Sequence, residues 1–199
     1  REVVLSPGIF KKFLKLKRGL QEIGDQEKGG GLSIKLVGKS EGAWYFRVTA
    51  GDKTYFVKEI PRNTVIPLSY KGGGVVEMKS LQEADKILKE NDISWAKVIN
   101  FKLGFEDNDV IYFVSEWLDC LQTILVDYLE KLERDAIYDG PEVSEAARSE
   151  LDKINDKLNK LALIFEKNGF YDAGAGNMSY DPKSKMIYIF DLQLYKLMR

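Results

Sequence analysis

Residues 169–191, GFYDAGAGNMSYDPKSKMIYIFD, decide how the chain reads. A glycine-containing loop gives way to a short run, MSY, then a turn, DPKSK, then a second strand-like run, MIYIFD, the pattern of a β-hairpin. Asp172 lies five residues before Asn177 on the loop, and Asp191 ends the returning strand. Folding back in this way predicts that Asn177 and Asp191 meet, where an amide oxygen and a carboxylate can share one magnesium ion. Asp172 can orient an attacking hydroxyl and accept its proton, so one short segment holds the groups that phosphoryl transfer from ATP requires.

Moving outward, residues 143–167 place Leu151, Ile154, Leu158, Leu161, Ala162 and Phe165 on one stripe of a long amphipathic helix. Residues 118–132 read as a second helix, with 133–141 as a connection. The first half of the chain differs in kind. Residues 9–23 space Phe10, Phe13, Leu14, Leu16 and Leu20 as a helix, with Pro7 suited to its start, and 24–31 (GDQEKGGG) read as a turn or mobile linker. Between 32 and 60, LSIKLVG, AWYFRVTA and TYFVKEI form a three-stranded antiparallel meander, with Gly51 and Asp52 at a tight turn. A loop over 61–74 leads to a helix over 76–89 carrying Met78, Leu81, Ala84, Ile87 and Leu88, and then VINFKLGF and DVIYFVSEWL supply two more strands. The expected fold is α+β: an N-terminal five-stranded antiparallel sheet with one helix, followed by a helical part that ends in the hairpin.

Composition narrows the chemistry. With 199 residues and 44% hydrophobic content the chain can build a sizeable core, and 30 basic against 31 acidic residues give no footprint for nucleic acid. Histidine is absent, which excludes Ser-His-Asp and Cys-His catalytic units and histidine-built zinc sites. The single Cys120 cannot form an internal disulfide, in keeping with a reducing compartment, and its neighbours Trp117, Leu118 and Leu121 suit a half-buried apolar role. No run of eighteen apolar residues offers a membrane span.

On these residues the chain resembles the protein kinase superfamily. YDAGAGN stands where that family has its catalytic loop and IFDLQ where it has the metal-binding Asp-Phe-Gly; TYFVKEI is similar to the strand whose lysine meets the α- and β-phosphates, here Lys58. Phe56 and Ile60 alternate with Lys58, which predicts an inward-facing charge. The resemblance implies Glu83, or alternatively Glu77, as the helix carboxylate that pairs with Lys58. It implies that IYFVSEWLD binds adenine, with Ser115 as gatekeeper, Glu116 giving a carbonyl and Leu118 an N–H, and that Gly38 and Gly42 cover the phosphates. An ordinary hairpin turn also explains the two glycines.

The chain departs from the family at three places. FYD replaces His-Arg-Asp, Gly174 stands where a lysine is common, and only eight residues follow Asp191, so the usual docking platform for peptide substrate is expected to be absent. Such truncation resembles the small secreted effector kinases of enteric bacteria of the OspG and NleH type, which implies a protein substrate or an activating protein partner. The implied cofactors are ATP and Mg2+. Three functions remain open at this point: a protein kinase, a small-molecule phosphotransferase of the aminoglycoside or choline kinase type, and a pseudokinase that acts as an interaction module. The expected division is 1–31 as helix and linker, 32–117 as the sheet lobe and 118–199 as the helical lobe.

Overall fold

The computed structural model describes residues 5–39, 43–61, 73–107, 110–138, 140–171 and 173–194. It forms two compact units, Arg1–Val75 with Asn100–Leu118, and Val76–Ile99 with Asp119–Arg199. The α+β class expected from the sequence holds in both.

The first unit starts with helix α1 (Pro7–Lys17), capped by the Ser6 side chain, which accepts the Ile9 N–H, with Pro7 in its first turn. The helix stops short of the residue 23 expected from periodicity. The Asp25 carboxylate accepts the Gln21 and Glu22 N–H groups at 2.7 Å each, turning the chain, and Ile23 is left in solvent. Strands β1 (Gln26–Gly29), β2 (Leu32–Lys39), β3 (Trp44–Ala50) and β4 (Lys53–Pro61) follow. With β6 (Lys102–Asp107) and β7 (Val110–Glu116) they make a six-stranded sheet in the order β1-β2-β3-β4-β7-β6, antiparallel throughout. The sixth strand comes from the glycine-rich stretch. Gly30 and Gly31 both take left-handed backbone, φ 58° and 78°, which a two-residue hairpin turn needs, so this segment pairs instead of linking.

Alternation gives the sheet two buried faces. One presents Leu36, Phe46, Val57 and Val114 to α1, where Phe13 meets the rings of Phe46 and Tyr112 edge-on at 5.3 and 5.6 Å. Lys17, at the end of α1, bonds the Tyr112 hydroxyl at 3.0 Å and pairs with Glu59. The other face carries Tyr45, Phe56, Lys58 and Phe113.

The second unit holds most of helix α2 (Gly73–Glu90), then β5 (Ala96–Val98), a 3-10 turn at Asp119–Gln122, helices α3 (Leu125–Tyr138) and α4 (Pro141–Lys167), and strands β8 (Phe170–Tyr171), β9 (Met178–Asp181), β10 (Met186–Ile189) and β11 (Gln193–Leu194). Strand β10 lies between β9, antiparallel, and β5, parallel, while β8 pairs with β11. The run VINFKLGF, expected as one strand, is thereby split. The Ile99 N–H donates to the Ile189 carbonyl, so the chain leaves β5 in one sheet before β6 begins in another. The helix expected over 118–132 starts later, at Leu125, because the 3-10 turn precedes it, and it runs on to Tyr138.

Candidate functional site

The hairpin is built as its sequence suggests. Met178 pairs with Ile189 and Asp181 with Met186. Asp181 stitches the turn, accepting the Lys183 N–H at 3.0 Å and the Ser184 hydroxyl at 2.6 Å. At the open end the Asn177 carbonyl accepts the N–H of Phe190 at 3.1 Å and of Asp191 at 3.4 Å, so the two residues lie side by side on the backbone. Asp191 is 7% exposed and Asn177 half-buried.

Three clamps hold the hairpin. The Ser179 hydroxyl lies 2.6 Å from the carbonyl oxygens of both Cys120 and Thr123, which fastens β9 to the turn before α3. The Tyr180 hydroxyl donates to Glu150 on α4 at 2.6 Å, and Lys185 pairs with the same oxygen at 2.7 Å. Burial works to raise the Glu150 pKa, but the bonds from Lys185 and Tyr180 outweigh it and hold it below the usual carboxylate value. Beyond Asp191, the Leu194 N–H donates to the Ser80 hydroxyl at 2.9 Å, which ties β11 to α2 one turn before Glu83. Sequence reading missed Ser80 and Ser179. Their signal is a fully buried serine among apolar neighbours, visible only once burial is known.

Glu83 is 36% exposed at its side chain and lies 4.0 Å from Lys86 on the same helix. The side chain of Glu77 lies outside the described residues, as do Asp172 and Gly42. Before Asp172, Tyr171 pairs with Gln193 in β11.

In the first unit, Lys58 is fully buried between Phe56 and Ile60, themselves 3% and 0% exposed, so the inward charge expected from alternation is present. Its Nζ lies 5.3 Å from the Tyr45 ring centroid, where the ring face supplies partial compensation for a buried cation. Ser115 is buried, and its hydroxyl lies 3.2 Å from the Glu116 carbonyl oxygen. Glu116 is exposed and Leu118 half-buried; between them the Trp117 N–H donates to the Thr54 carbonyl at 3.1 Å. Gly38 sits where the β2–β3 register shifts, and a Cβ there would meet the Tyr45 ring at 3.2 Å, so packing alone gives this glycine a reason. Cys120 is half-buried, and burial pushes its thiol up to about 11, so it stays protonated at neutral pH.

The amide of Asn177 and the carboxylate of Asp191, on residues whose backbones meet at the hairpin end, are donor types that suit a hard, oxygen-preferring divalent cation such as magnesium. No helix among the described residues is long and apolar enough to cross a membrane.

Solved structures with a similar arrangement include vaccinia related kinase 3, at 14% identity and TM-score 0.45, covering 90% of this chain and 54% of that one. Others are a spectinomycin phosphotransferase in complex with ADP and spectinomycin, at 10% identity and TM-score 0.38 over 94% and 71% of the two chains, and WbdD, at 15% and 0.34 over 86% and 32%. The chain thus spans about half the length of the vaccinia related kinase 3 structure. No protein-family model matches the chain, and no curated protein sequence does.

Proposed function

We propose that the chain is a magnesium-dependent phosphotransferase of kinase-like fold that moves the γ-phosphate of ATP to a protein hydroxyl of the serine or threonine type. The observation that supports this most is the closure of the hairpin on the Asn177 carbonyl, which brings the backbones of Asn177 and Asp191 together. Asn177 and Asp191 would hold the ion, which when bound neutralises charge on the phosphates. Lys58 takes the α- and β-phosphates, and Glu83 or Glu77 orients Lys58. Asp172 accepts the proton of the attacking hydroxyl as its oxygen bonds to the γ-phosphorus and the bond to the β-phosphate oxygen breaks, releasing ADP. The likeness to OspG- and NleH-type effectors adds an activating protein partner to the proposal.

Labelled ATP and magnesium, with the protein alone and with cell extract, provide the test. Asp172→Ala and Asp191→Ala are each expected to lower phosphate transfer by at least about 100-fold. Transfer retained by both variants would remove the hairpin from the chemistry.

A further inference from the structure

On the face of the sheet that carries Lys58, the register sets Tyr45 directly opposite Lys58 and Phe56 opposite Ser115, one residue before Glu116. The rings of Tyr45 and Phe56 stack, centroids 5.9 Å apart and planes 13° from parallel. Phe56 also meets Phe101 at 5.5 Å and the edge or face of Trp117 at 6.1 Å. Tyr45 is 6% exposed and Phe56 3%, so the aromatic faces on this side of the sheet are already covered by protein. The room for the tyrosine ring comes from Gly38, which has no side chain to collide with it.

The position of these rings matters because of where a nucleotide must run. If Lys58 takes the phosphates and residues 116–118 take the base, as the proposed function holds, the base crosses the surface at Phe56 and Tyr45. Two small residues there would leave a slot for a purine. Two large rings, stacked on each other and capped by Trp117 and Phe101, leave the slot filled.

We propose that Tyr45 is an autoinhibitory plug on the base side of the nucleotide site. Its ring fills the surface that a purine covers, and the nucleotide base binds only when that ring turns away from Phe56. Breaking the stack and the contact with Lys58 opposes binding, so the competent conformer is a minor one and the apparent affinity falls in proportion. The inference rests on the proposed role of Lys58 and adds to it a reason for weak, switchable nucleotide binding: whatever draws Tyr45 outward turns the site on.

Calorimetric titration of the full chain with MgATP and with magnesium tripolyphosphate tests this, using the wild type, Tyr45→Val and Tyr45→Leu. The wild type is expected to bind the two ligands within about threefold of each other, since the plug denies the base its contact. Tyr45→Val is expected to tighten MgATP by about tenfold or more and to change tripolyphosphate little. Tyr45→Leu, which keeps a buried apolar side chain in case the smaller residue fails to fold, is expected to move in the same direction. A wild type that prefers MgATP over tripolyphosphate by more than about tenfold, or folded variants with unimproved MgATP affinity, would overturn the plug and leave the phosphate role of Lys58 standing. Binding of neither ligand by any of the folded proteins would instead overturn the proposed function, and the plug with it.

Discussion

Lys58 takes its place from strand alternation, paired across β4 to Tyr45 on one side and Phe113 on the other, with a whole sheet fixing its direction. The Asn177 and Asp191 pair takes its place from a few named hydrogen bonds: two onto the Asn177 carbonyl, and the clamps at Ser179, Tyr180 and Ser80. A strand lysine is therefore specified many times over by its neighbours. A hairpin end is specified by single polar atoms, each of which one substitution can remove.

The largest expected effect comes from attacking the layer behind the sheet. Phe13→Ala takes a fully buried ring from between α1 and the sheet and should cost about 3–5 kcal/mol. Urea denaturation reads the loss, and a change under about 1 kcal/mol would mean that α1 is not part of what holds the sheet. On the hairpin side, Ser179→Ala removes the hydroxyl that bonds the Cys120 and Thr123 carbonyls and should cost about 1 kcal/mol. The comparison sharpens if this smaller loss nonetheless lowers phosphate transfer more than the loss of Phe13 does in conditions where both variants stay folded. Equal damage to transfer would mean that the sheet and the hairpin are held with the same redundancy.

The smallest effect is one of pH. Glu150 has a folded-state pKa below its unfolded one, so its stabilising contribution is present above the unfolded value and is lost as pH falls through the lowered one. Tyr180→Phe removes one of the two bonds that lower it. The urea midpoint of the wild type should therefore drop more steeply than that of Tyr180→Phe as pH falls from neutral to below the ordinary carboxylate range. Parallel curves would assign the lowering to Lys185 alone.

How much of this was legible in the sequence follows the range over which each signal acts. Strand alternation shows at two-residue spacing, so the inward Lys58 could be read directly from TYFVKEI. The DPKSK turn and its flanking runs are equally local, and they foretold a hairpin that brings the backbones of Asn177 and Asp191 together. Helix α4 was legible from its apolar stripe, and the structure starts it at Pro141, within two residues of the expected start.

What was not legible depends on partners far along the chain. Strand β1 forms because β2 offers an edge, and the split of 98–105 between two sheets is decided by Ile189 and Val114, far off in sequence. Ser80 and Ser179 are unremarkable letters until burial leaves each with a defined hydrogen-bonding task. The same holds for Tyr45: the sequence shows one aromatic residue in a strand, and only cross-strand register sets its ring against Phe56 and Lys58. By itself the sequence determined the hairpin and the direction of the lysine, because backbone periodicity and turn chemistry are local. Tertiary structure alone decided which atoms clamp the hairpin and what fills the face beside the lysine, because hydrogen bonds and ring contacts are settled by whatever the fold brings alongside.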